Sequence, residues 1–278
     1  MSGAGAGGRI VPRLREEPLF FDVFAEPWQA GEAAAPGVEL ARGLQVQVAS
    51  RYEDGRGFTL VAALPPRWSA VERAADATVE LFVLEGELEA GGQLLRGGGF
   101  LQAPKGSGEV RLATGERGAR VLLFWHATLA VEHEGRRLTS AWDEPWEVTV
   151  LDGFPAGALH KTLRLPDAAT GAAHGSASGF LRLVMPGPGW ISSDMEFHGC
   201  WEENICLRGD MLMPMPGRGV LGPGINLANP VDFWHGPMAT KGGVLFVVHC
   251  DAPMDVTYRP HPGAAEELRR YVEDAPWA

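Results

Sequence analysis

Short apolar runs, broken by turn residues, recur along almost the whole chain. GFTLVAAL (57–64), TVELFVLEGELEA (78–90), ARVLLFWHA (119–127), GFLRLVMPG (179–187), NICLRGDML (204–212) and GGVLFVVHCD (242–251) are rich in Val, Leu and Phe. Each is punctuated by Gly, Pro, Asn or Asp. Strand-length runs between such signals predict antiparallel strands packed as a sandwich or barrel. One segment differs: GAAEELRRYVED (263–274) spaces its apolar residues at helical intervals, which predicts a short C-terminal helix.

The runs also repeat. Gly57-Phe-Thr-Leu-Val returns as Gly179-Phe-Leu-Arg-Leu, and Trp68 after Pro-Pro-Arg returns as Trp190 after Pro-Gly, both 122 positions later. Val79–Gly86 (VELFVLEG) matches Glu202–Gly209 (EENICLRG), and Val121–His126 (VLLFWH) matches Val244–His249 (VLFVVH), both at 123. Four anchors on nearly one diagonal predict a duplication, with units 1–140 and 141–278 joined near 135–150. Gly86 and Gly209 should occupy equivalent turns. An N-terminal arm over residues 9–25 could cover an exposed strand edge, and strand edges of this kind predict a homodimer.

Composition narrows the partners. A net charge of -11 argues against a nucleic-acid or anionic-membrane partner, because those need a basic face. Three cysteines without framework spacing fit a reducing, cytoplasmic setting. No run approaches the roughly 18 apolar residues of a membrane helix, and the glycine-rich start carries no signal-peptide core.

Candidate chemistry concentrates in DMEFHGCWEENICLRGD (194–210). On a strand, residues two apart share a face, so Glu196 and His198 point the same way. Gly199-Cys200-Trp201 is short enough for a hairpin loop, across which Glu202 would face His198. Two carboxylates beside an imidazole would raise at least one pKa sharply, and a divalent cation removes that conflict. Alternation puts Glu203 on the opposite face. There, with Glu80 and Asp210, it reads as a solvated charge.

The spacing of His198, three residues, Glu202, six residues and Gly209 resembles the first motif of the cupin superfamily, G(X)5HXH(X)3,4E(X)6G. Asn229-Pro-Val-Asp-Phe-Trp-His235-Gly-Pro237 resembles the second motif more loosely. With the duplication, the region from about 45 to 258 looks like a bicupin: an all-β chain of tandem double-stranded β-helix, or jelly-roll, barrels. The resemblance implies a divalent metal held by His198, Glu202 and His235, with Glu196 where the family usually has its first histidine. Glu196 is then a fourth ligand or a catalytic base. Two imidazoles and two carboxylates suit Fe, Mn, Co, Ni or Zn. The counterparts in the first unit, Arg73, Ala75 and Val79, carry no ligand, so that barrel should be metal-free.

The other residues read as structure. His174 sits in a small-residue loop expected at the surface. His126 and His249, equivalent in the repeat, end apolar strands. Cys206 is a small buried hydrophobe. Trp190, Trp201 and Trp234 should be core or pocket wall. The resemblance implies an Fe-dependent oxygenase acting on a small, partly apolar molecule. A non-redox metal-dependent isomerase, lyase or hydrolase and a non-catalytic binding bicupin are the alternatives.

Overall fold

The computed structural model describes residues 14–127, 129, 135–150, 153–164, 179–215 and 218–274. His174 lies outside the described residues.

Two large antiparallel sheets dominate. In the nine-stranded sheet, Gly57–Leu64 and Thr78–Ala90 flank Val110–His126. In the seven-stranded sheet, Phe180–Pro186 and Glu202–Gly209 flank Val244–Cys250. A four-stranded sheet and the pair Asp194–His198 with Val256–Pro260 accompany the second of these. The C-terminal helix, Ala264–Glu273, docks through Ala264 and Leu268.

The central strands lack apolar–polar alternation because both of their faces are buried. Val121 and Leu123 enter the core of the first half, while Leu122 and Phe124 join a second apolar layer. Leu181, Leu183, Ile205 and Val247 reach that same layer from the other large sheet, and Phe180, Cys206, Phe246 and Val248 line the second half's interior. The two sheets therefore pack back to back. Each Leu or Phe so buried contributes roughly 1.5–3 kcal/mol.

The repeat is visible in the backbone. Gly86 and Gly209 both adopt positive φ, 81° and 91°. A Cβ on either would lie 2.3 Å from the carbonyl oxygen of Gly118 or 2.0 Å from that of Gly243, so close strand approach requires glycine at both.

Strand register corrects one part of the sequence alignment. Glu80 pairs with Phe124 and Glu203 with His249; Phe58 pairs with Trp125 and Phe180 with Cys250. The fourth anchor is thus offset by 125 residues rather than 123, and the counterpart of His249 is Phe124, not His126. Interchangeable Val, Leu and Phe within the run conceal a two-residue slip that hydrogen-bond pairing reveals.

Two further expectations change. Asp194–His198 and Glu202–Gly209 do not form a hairpin: the first pairs with Val256–Pro260, the second with Ile225–Asn229 and Val244–Cys250. Gly199-Cys200-Trp201 instead carries the chain from one sheet to the other. Glu80 and Glu203 are not solvated either; they are 0% and 1% exposed. Their faces meet the opposing large sheet, a layer that strand alternation cannot foresee. Leu19–Asp22, inside the expected arm, adds an edge strand to Ile225–Asn229 of the same chain.

Candidate metal centre

Backbone pairing builds the centre from segments far apart in sequence. Glu196 and His235 exchange reciprocal hydrogen bonds, Glu196 N to His235 O at 2.8 Å and His235 N to Glu196 O at 2.9 Å. On its other edge Glu196 pairs with Tyr258. Glu202 begins the adjacent strand of the large sheet, where its register partners are Cys250 and Asn229. The crossover at 199–201 turns Glu202 back towards His198, as a hairpin would have done.

The four expected residues converge. His235 Nε2 lies 3.4 Å from Glu196 Oε1 and 3.6 Å from Glu202 Oε2, and His198 Nε2 is 3.6 Å from Glu202 Oε2. The two imidazoles meet edge to face at 4.8 Å. All four residues are buried. Donor atoms about 2.1 Å from a shared ion stand roughly 3–3.5 Å apart, so these spacings suit a common cation.

The surroundings fit that role. The Phe233 carbonyl, which can only accept, lies 3.0 Å from His235 Nδ1, so Nδ1 donates to it and Nε2 is turned towards the two carboxylates. That buried Nε2 has no hydrogen-bond partner. Asn229 Nδ2 donates to Glu202 Oε2 at 2.9 Å, steadying the carboxylate. Burial opposes ionisation of Glu202, but the two histidines and Asn229 more than compensate and lower its pKa. Burial likewise disfavours a charged His198, but the Glu202 carboxylate, together with Cys200 and Glu196, outweighs it and raises its pKa to about 9. Without a metal a proton takes the cation's place, and a metal must displace it.

These groups occupy one wall of a cavity of about 100 Å³. Phe154, Phe180, Trp190, Met211, Met238 and Phe246 supply much of the rest. Trp201 and Trp234 lie elsewhere: Trp201 is core beneath the Arg15 guanidinium, and Trp234 meets Phe197 edge to face under Arg259. Cys206 is fully buried core. Sequence reasoning did not single out Asn229 or Phe233, although Asn229 opens the second motif and was within reach of it.

A second His/carboxylate group lies between the large sheets: Glu80, His126 and His249, all buried. It differs in charge. Arg164 Nε and Nη2 grip both Glu80 oxygens, at 2.8 and 2.6 Å. Burial, then Arg15 and Arg164, push the pKa of His126 well down, and burial with His126 and the same arginines does so for His249. The carboxylate is already neutralised by a guanidinium, so this cluster is an ion pair with two neutral imidazoles rather than a vacant cation cradle.

Comparison with solved structures agrees with the fold. A candidate dioxygenase from Nostoc punctiforme is 20% identical, with 88% of this chain and 87% of that one superposed at a TM-score of 0.71. The Ylba protein of E. coli is 13% identical over 90% of this chain and 97% of its own, at 0.59. Bacillus subtilis oxalate decarboxylase OxdC is 10% identical, covering 86% and 78%, at 0.53. No family model and no curated relative matches the sequence. At these identities the likeness concerns the fold alone, two jelly-roll barrels in tandem like those of the cupin-fold structures that this chain superposes on. Its second half carries a His/Glu group suited to a divalent metal. Among the described residues no helix is long and apolar enough to cross a membrane.

Proposed function

We propose that the protein is a metal-dependent enzyme acting on a small organic molecule in the second barrel, with Glu196, His198, Glu202 and His235 holding one divalent ion. The observation that carries this reading is the partnerless, buried Nε2 of His235, aimed at two carboxylates while Nδ1 is fixed on a carbonyl. A polar atom left thus in an apolar enclosure costs stability unless something binds it. Structures of the same fold include one concerned with the Mn(II) centres of oxalate decarboxylase, which supports a divalent ion here.

The ion most consistent with the reading is Fe(II), and the reaction an oxygenation; the Nostoc protein of like fold bears a dioxygenase designation. Bound there, such an ion would supply Lewis acidity and a site for O2 and substrate. The chain's own contribution is separate. The apolar wall excludes water, Asn229 and the Phe233 carbonyl orient two of the donors, and Glu196 stands where a proton can be taken up or released. A non-redox lyase or isomerase is the second reading, favoured by that carboxylate in a position where a histidine is usual.

Metal analysis of protein purified without chelators, followed by oxygen uptake with a panel of carbonyl compounds, tests both levels. Stoichiometric iron with substrate-dependent oxygen consumption supports the oxygenase. Turnover under strict anaerobiosis moves the assignment to non-redox chemistry, and a chain that binds no divalent metal refutes the proposal.

A further inference from the structure

Two of the three cysteines meet beside the metal centre. Cys200 follows His198 by two residues in the crossover, and Cys250 is the register partner of Glu202. Trp201 and Asp251 extend that pairing: Trp201 N donates to Asp251 Oδ1 at 3.1 Å, and Asp251 N to Trp201 O at 3.4 Å. Register partners share a face, as do residues two apart, so Cys200, Glu202 and Cys250 all turn towards the interior of the second barrel. Both thiols join its apolar core; they are free, and 1% and 0% exposed. The Cys250 thiol donates a hydrogen bond to Cys200 Sγ. Cys200 Sγ also lies 4.0 Å from His198 Nδ1. With Nε2 turned to Glu202, Nδ1 is the nitrogen that carries a proton when His198 holds an ion, and the Cys200 sulfur receives it.

A bond between these sulfurs would disturb the centre. Cys200 and Cys250 are diagonal neighbours, and the Cα atoms of such a pair stand about 7–8 Å apart, whereas a disulfide holds them at about 4.4–6.8 Å. The backbone must therefore be drawn in. Cys250 has little freedom: its strand is paired on both edges, by Phe180–Pro186 and Glu202–Gly209, and its carbonyl accepts from Arg164 Nη1 at 3.1 Å. Gly199-Cys200-Trp201 lies between strands, so the movement falls there. That segment joins His198 to Glu202, two of the four proposed donors. Bridging also withdraws the Cys200 sulfur from His198 Nδ1.

We infer that Cys200 and Cys250 form a reversible disulfide that opposes metal binding, a redox control of the centre proposed above. The inference rests on that proposal. Hydrogen peroxide is the oxidant of fitting size, because burial of both sulfurs excludes a bulky disulfide. One thiol attacks the O–O bond, giving a sulfenic acid and one water; the other attacks the sulfenic sulfur, closing the S–S bond and releasing a second water. The two thiols lose two electrons and peroxide gains them. An added dithiol reverses the step. Bound metal holds His198 and Glu202 in place, so it disfavours the bridge by the same factor by which the bridge weakens metal binding.

The test is Mn(II) titration of the full chain, reduced and after peroxide treatment and removal, with the cysteines mapped by peptide mass spectrometry. Peroxide should link Cys200 to Cys250 and leave Cys206 free. The linked protein should bind Mn(II) about 10–100-fold more weakly, the scale of losing an outer-sphere partner, and dithiothreitol should restore the affinity. In a dithiothreitol redox buffer, saturating Mn(II) should shift the equilibrium towards the thiols by the same factor. Cys200→Ser should show no change in affinity on peroxide treatment. Absence of the Cys200–Cys250 link, a link through Cys206, or a linked protein of undiminished affinity overturns the inference. So does a loss that persists in Cys200→Ser. If that variant fails to fold, the wild-type comparison before and after dithiothreitol decides. Reduced protein that binds no divalent metal refutes the centre and this control with it, while the peptide map reads separately whether the bridge forms.

Discussion

Adjacent residues on one strand should fail in opposite ways. Glu202 faces the cavity and the two histidines, whereas Glu203 faces the other large sheet and accepts from Asn226 Nδ2 at 3.0 Å. Replacing Glu202 by Ala removes one of the four proposed donors. Loss of an outer-sphere partner alone costs about 10–100-fold in metal affinity, so loss of this donor should exceed about 100-fold. Replacing Glu203 by Ala leaves every donor in place but strips a buried charged acceptor from Asn226 and a neighbouring carboxyl from Arg15, itself 1% exposed. Charged hydrogen bonds contribute about 1.5–3 kcal/mol, and an uncompensated buried charge adds more. Relief of burying the carboxyl, whose pKa burial raises despite Arg15, works against this. The net loss should be about 2–4 kcal/mol. Metal titration and urea unfolding of metal-depleted protein measure the two quantities. If Glu203→Ala empties the site while Glu202→Ala retains metal, the assignment of faces is wrong.

Arg164→Met should destabilise the fold by about 3 kcal/mol in urea unfolding, because Glu80 is left buried without its guanidinium; the Glu80→Met/Arg164→Met double variant should recover most of that loss. Recovery failing in the double variant would mean packing, not charge, dominates there. Asn229→Ala should weaken metal binding by about 10–100-fold with little loss of secondary structure by circular dichroism, since it steadies Glu202 without being a donor to the ion. Asp210 accepts from Tyr271 Oη at 2.6 Å and from the backbone of Lys241 and Gly242; burial opposes its ionisation, but these bonds and the Lys241 charge lower its pKa below 3.8. Its contribution is thus present above pH 4 and is lost as pH falls through the lowered pKa. Asp210→Asn should cost about 1 kcal/mol at pH 7, a figure reduced for exposure, and the difference should vanish in acid unfolding curves.

Local pattern determined a good deal of this protein. Val-, Leu- and Phe-rich runs between turn residues specify strands wherever they fold, and Gly86 and Gly209 mark equivalent close approaches because only glycine fits there. The HxxxE spacing placed His198 and Glu202 together, since spacing along a chain survives any route between the two residues. Tertiary structure decided the rest. Glu80 and Glu203 look like surface charges because alternation reports two faces, not what covers them; a second sheet against that face makes them core. His249 aligns with His126 in a run of interchangeable apolar residues, and only hydrogen-bond pairing shows its counterpart in the first repeat to be Phe124. A charge's role depends on which surface faces it, and that surface comes from residues distant in the chain.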